Sequence, residues 1–119
     1  MSITALNATE RAALDVTIRN AEQACRAEIS VFVGSASGEP REFATSLHNT
    51  LVLPARSVLV MVDPDRRLVE IVTGGVVRER LTDEEAAQAV AAMTERFAAG
   101  DLAGGLQRGI ELLGELARN

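Results

Sequence analysis

An α/β fold is predicted for this chain: a small mixed sheet sandwiched by about four helices, in the order α-β-α-β-β-α-α. Three observations predict it. Val58 to Val62 is apolar at every position, so both faces of that strand must be covered, which makes it central. A second strand-length run, Leu68 to Thr73, follows after only Asp63-Pro64-Asp65-Arg66 and a short remainder. So short a connection forces an antiparallel hairpin. The alternating, β-branched segment Ile29 to Val33 is separated from Val58 by a helical stretch. It therefore pairs parallel to the central strand through a right-handed crossover.

The first helix starts at Asn7, where Glu10 completes a capping box. Leu14, Ile18, Ala21 and Cys25 then fall on one face at helical spacing. After the first strand, Gly34 to Glu39 reads as a loop, and Pro40 suits the first turn of a second helix. Phe43, Leu47 and Leu51 line that helix and Pro54 closes it. In the hairpin, Asp63 takes the first and Pro64 the second position of a type I turn. The Gly74-Gly75 pair stops the last strand, and Thr82 with Glu85 forms a second capping box. It opens a third helix with Ala86, Val90, Met93 and Phe97 on its inner face. Gly100 ends it, and Asp101 caps a fourth carrying Leu106, Ile110, Leu113 and Leu116.

The 119 residues suit one domain spanning 1–119, and 47% hydrophobic content fills its core. Aromatics reach only 3%, with no Trp or Tyr, so platforms for stacking bases are nearly absent. A net charge of −5 argues against nucleic acid and against anionic lipid. Every basic residue except His48 is Arg, which excludes Lys-based Schiff-base chemistry; with so much Ala it also suggests a GC-rich genome. The lone Cys25 permits neither an internal disulfide nor a thiolate cluster. Met1 to Asn7 carries no basic segment or apolar core of signal length, and no run approaches the ~20 residues of a membrane span. A soluble cytoplasmic protein is expected.

Several strings, in order and spacing, resemble the TPM domain, the family of the thylakoid-lumen acid phosphatase and of many bacterial membrane-tethered proteins. They are Ala27-Glu28-Ile29, Asp65-Arg66 followed by an Ile-containing strand and Gly74, then Glu79, Leu81 and Asp83. Phe97, Gly100-Asp101 and Gly104-Gly105-Leu106 continue the match over nearly the whole chain. The departures bear on function. Where the family typically carries Asp-Asn-Gly before the central strand, Ala55-Arg56-Ser57 stands here. Where it carries Gly-x-Gly-x-Glu, the text is Gly74 to Glu79 with other spacing. The family's transmembrane tether is not found either, so the chain looks like a stand-alone branch of unknown function in actinobacteria.

The hairpin and the parallel pairing of the first two strands place the signature positions Glu28, Arg56, Gly74, Glu79 and Asp83 at one end of the sheet. There carboxylates could ligate a hard cation such as Ca²⁺, but Arg56 opposes that and favours an anion or an ion pair. The expected function is a non-enzymatic binding or protein-interaction module with an unknown protein partner, no catalytic residue, no metal ligand and no required cofactor. The alternative implied by the family is a metal-dependent phosphoester hydrolase using Glu28, Glu79 and Asp83. Gly104, Gly105 and Gly109 of the fourth helix cost roughly 1 kcal/mol each, which suggests close packing against another element in this chain or in a second copy, and a homo-oligomer through that helix is a third expectation.

Other candidates have plainer readings. Asp63 and Asp65 flank Pro64 as turn residues, and the Gly34–Gly38 loop matches no phosphate-binding fingerprint. His48 is read as a residue of the helix flank and Cys25 as a buried small hydrophobe. Arg66, Arg67 and Arg41 are read as solvated charges, and Asp83, Glu84 and Glu85 as acids at the positive end of a helix dipole.

Overall fold

A computed structural model describes residues 6–117. Residues 1–5 and 118–119 lie outside them, and with the former most of the segment weighed as a leader. The elements run α1 (Ala8–Cys25), β1 (Glu28–Val33), α2 (Pro40–Asn49), β2 (Ser57–Asp63), β3 (Leu68–Thr73), α3 (Asp83–Ala98) and α4 (Leu102–Leu116). Short 3-10 turns occupy Pro54–Arg56 and Val77–Glu79. The predicted order is therefore the observed one. The sheet is β1-β2-β3, with β1 parallel to β2 in register Glu28↔Ser57 and β2 antiparallel to β3 in register Val58↔Thr73.

Every residue of β2 is buried, because the strand is covered on both sides. Val58, Val60 and Val62, with Ile29, Val33 and Ile71, face a core built by α1, α3 and α4. Leu59, Met61 and Val72 face the opposite way and meet Ala44, with Phe43 and Leu47 of α2 packed alongside. Phe32 and Phe43 close that thinner layer, their rings tilted 59° at 5.7 Å. Each such buried aliphatic side chain contributes about 1.5–3 kcal/mol of transfer free energy.

The helix starts are made by local chemistry. Asn7 and Glu10, and likewise Thr82 and Glu85, form reciprocal capping boxes. Asp101 accepts the Gly104 N–H at 2.8 Å, and Glu39 caps α2 ahead of Pro40. The glycines of α4 explain its close approach to its neighbours. A Cβ at Gly105 would lie 2.4 Å from the Phe97 ring, and one at Gly109 2.3 Å from Met93. The packing they permit is thus made within the chain, against α3.

Two boundaries differ from the sequence reading. Helix α2 ends at Asn49, not near Pro54. Thr50 Oγ1 donates to Leu47 O at 2.7 Å while the Thr50 N–H reaches the same carbonyl, and this local bonding replaces the next helical turn. In the hairpin, the backbone closure is Arg67 N–H to Pro64 O at 3.3 Å, one residue later than expected. The Asp63 side chain, not its carbonyl, takes the Arg66 N–H.

Candidate functional site

The signature end is assembled by three backbone joins. Glu28 is level with Ser57 across the parallel pair, Gly74 N–H donates to Ser57 O at 2.9 Å, and Val76 N–H to Ala55 O at 2.9 Å. Gly74 is required there by contact: a Cβ would fall 2.0 Å from Pro54 O and 2.4 Å from Ala55 O. The turn at Pro54–Arg56 and the segment after β3 therefore lie backbone to backbone. This brings Glu28, Arg56 and Gly74 to one edge. Glu79 closes the second 3-10 turn and Asp83 opens α3.

The acids do not gather. Glu28, Glu79 and Asp83 are all exposed, and no group of three His, Cys, Asp or Glu side chains among the described residues could hold a metal ion. What does gather is arginine. Arg26, Arg56 and Arg80 line a recess of about 10 Å³ floored by Cys25, Val76 and Val77, about the size of a single water at most. Arg80 donates to Cys25 O at 2.8 Å and Arg78 donates to Thr73 O. None of Arg26, Arg56, Arg78 and Arg80 enters an ion pair among the described residues. Beside Arg56, Val52 is 91% and Leu53 47% exposed, so an apolar tip projects from this end.

His48 is a correction. It is not on the flank but buried at 5% exposure, with Nε2 3.0 Å from Ser57 O. The signal was available: Ala44, Leu47, His48 and Leu51 form a stripe wider than the one built on Phe43, Leu47 and Leu51 alone. The same Ser57 carbonyl also receives the Gly74 N–H, and Ser57 Oγ donates to Leu53 O at 2.6 Å. Base and tip of this end are therefore held together through one residue.

At the opposite end, Asp63 exceeds its reading as a turn residue. It is 1% exposed; Oδ2 accepts the Ala36 N–H at 2.9 Å and Oδ1 the Arg66 N–H at 3.2 Å. The Ala36 N–H above all, then Arg66, holds its carboxyl below the ordinary aspartate value against the opposing effect of burial. Arg41 and Arg66 are not free solvated charges. Arg41 donates to Ile71 O at 2.7 Å and pairs with Glu70 at 3.2 Å. Arg66 donates to Ala36 O at 3.0 Å and Gly38 O at 3.3 Å. Next to this turn lies a cavity of about 390 Å³. Cys25 is buried as expected, and burial raises its thiol pKa.

Fold and site together define a class: a three-stranded mixed α/β sandwich whose signature end carries arginines and an apolar tip instead of a carboxylate cluster. Its architecture is shared with the BA42 protein from the psychrophilic bacterium Bizionia argentinensis, with a TM-score of 0.84, 23% identity, and coverage of 94% of this chain and 81% of that one. The N-terminal domain of protein cg2496 from Corynebacterium glutamicum is similar too, with a TM-score of 0.75, 19% identity, and coverage of 92% and 72%. At such identities the likeness is one of fold. The chain belongs to the family described as a domain of unknown function (DUF5130), which matches residues 2–114. Two Mycobacterium tuberculosis sequences, the uncharacterized proteins MT2543 and Rv2468c, are each 29% identical over 101 residues, or 85% of this chain. The chain spans 60% of the length of these relatives. Among the described residues, no helix is long and apolar enough to cross a membrane.

Proposed function

We propose that this is a TPM-like, non-enzymatic binding or protein-interaction module acting in the cytoplasm, whose contact surface is the end bearing Arg56 and Gly74. One observation carries the reading: the acids a hydrolase would need are exposed and form no metal-holding group among the described residues, while Val52 and Leu53, just before Arg56 in the chain, are exposed. A phosphoester hydrolase must activate water through a metal or a positioned base. Glu28, Glu79 and Asp83 supply neither as a group, and the nearby guanidiniums raise the cost of a bound cation. An exposed aliphatic tip with arginines that enter no ion pair among the described residues instead suits a protein surface with acidic groups around an apolar centre.

The test is the melting temperature with and without millimolar Ca²⁺, Mg²⁺ or Mn²⁺ at fixed ionic strength, together with turnover of p-nitrophenyl phosphate. A site filled to ~100 times its dissociation constant would add about 2.7 kcal/mol. The expected result is an unmoved melting point and no turnover. A metal-dependent shift or turnover that disappears in Asp83→Asn would overturn the proposal in favour of the hydrolase.

A further inference from the structure

The cavity at the opposite end is independent of that reading. Its walls are apolar, from Val62, Leu68 and Val69 on the hairpin and Phe97 and Leu102 at the corner between α3 and α4. Its volume of about 390 Å³ lies within the usual range of small-molecule sites, ~300–1,000 Å³. It opens at the carboxyl end of β2, between the β2–β3 hairpin and the corner of α3 and α4.

The polar lining is sparse and can be accounted for group by group. Thr94 commits its hydroxyl proton to Val90 O at 2.8 Å. Asp63 and Arg67 are the charged residues of the lining. Asp63 has both carboxylate oxygens occupied by backbone N–H groups, and the Arg66 guanidinium lies close enough to favour its charge. Arg67 is different: it enters no ion pair among the described residues. Its backbone is left-handed, with φ 56, where Gly or Asn fits with less strain. The hairpin nevertheless places Arg67, whose side chain ends in a guanidinium, in the lining of an apolar cavity. Such a group pairs with a planar carboxylate through two parallel hydrogen bonds. A doubly charged phosphate would meet the ionised Asp63 with only one cation of the lining to offset it.

We infer that this cavity binds a small molecule with an apolar body and a single carboxylate, the body against Val62, Val69 and Phe97 and the carboxylate on Arg67. The test is a ¹⁵N-resolved NMR titration at pH 7 with hexanoate, hexan-1-ol and acetate. Hexanoate is expected to shift the amides of Leu68, Val69, Phe97 and Leu102 saturably. It should bind about tenfold more tightly than hexanol, which lacks the charge, or acetate, which lacks the body. Arg67→Gln should weaken hexanoate about tenfold and leave hexanol unchanged. Arg67→Gly should do the same while folding without strain at that position. The inference is overturned if those amides do not move, if hexanol or acetate binds as well as hexanoate, or if both Arg67 variants keep the affinity. Each of these results leaves the metal and turnover tests at the other end unaffected.

Discussion

Asp63 Oδ2 accepts the Ala36 N–H at 2.9 Å, tying the end of β2 to the loop that follows β1. The carboxylate is buried, and its second oxygen fixes the hairpin through Arg66. One side chain thus sets both the turn at 64–67 and the entrance to α2. Asp63→Asn would turn an amide N–H toward one of two N–H donors. A loss of about 2–3 kcal/mol is expected, a fall in melting temperature on the order of 10 °C by circular dichroism.

The same contact predicts an acid limb. The folded pKa of Asp63 is depressed, so its stabilisation is complete above the unfolded aspartate value of about 3.9 and disappears as pH falls through the folded value. Denaturant midpoints between pH 5 and 2 should fall less steeply for Asp63→Asn than for the parent. Equal slopes would mean that other carboxylates account for the whole limb.

Gly74 and Gly75 are neighbours in sequence with opposite tolerances. A Cβ at Gly74 meets backbone oxygens at 2.0 and 2.4 Å, whereas at Gly75 the nearest atom is an Arg78 nitrogen at 3.8 Å. Gly74→Ala must separate the Pro54–Arg56 turn from the end of β3, which should cost about 3 kcal/mol or more. Gly75→Ala should stay within about 0.5 kcal/mol of the parent. Paired urea melts decide this, and equal midpoints would refute the backbone clash.

The outer edge of β3 is guarded by arginines. With Gly74 N–H on Ser57 O and the register Val60↔Ile71 and Val58↔Thr73, Ile71 and Thr73 direct their backbone groups away from β2. Arg41 donates to Ile71 O and Arg78 to Thr73 O. Removing both in Arg41→Ala/Arg78→Ala should lower stability by about 1–2 kcal/mol and quicken aggregation on heating, since an uncovered edge pairs with other chains. Light scattering during a thermal ramp would reveal it.

What was legible in the sequence was local. The two capping boxes need only residues three apart, and the all-apolar Val58 to Val62 run specifies two covered faces without reference to what covers them. The departures arise where distant segments meet. Burial of His48 depends on Ser57 arriving beneath α2, and the shifted hairpin closure depends on the Asp63 side chain replacing its own carbonyl as acceptor. Backbone topology, legible in the hairpin and the parallel pairing, brought Glu28, Arg56 and Gly74 to one end. The outward course of Glu28, Glu79 and Asp83 is a side-chain property that spacing does not encode. The cavity beside Arg67 forms only where the hairpin meets the corner of α3 and α4, elements far apart along the chain.

Composition makes one final prediction unusually clean. The chain has no Tyr and no Lys, and Arg stays charged. Cys25 is therefore the one side chain that titrates between about pH 8 and 11. Burial raises its folded pKa, so its contribution to stability is complete below the unfolded thiol value of about 8.5. That contribution disappears as pH rises through the folded value, because the unfolded chain loses the proton first. Denaturant midpoints should fall from about pH 8.5 upward in the parent and stay level in Cys25→Ala, although the variant starts lower for its small cavity. The thiol should also resist an aromatic disulfide reagent until the chain unfolds, since the thiolate is the nucleophile. Rapid labelling under native conditions, or an alkaline limb shared by Cys25→Ala, would contradict a sealed Cys25.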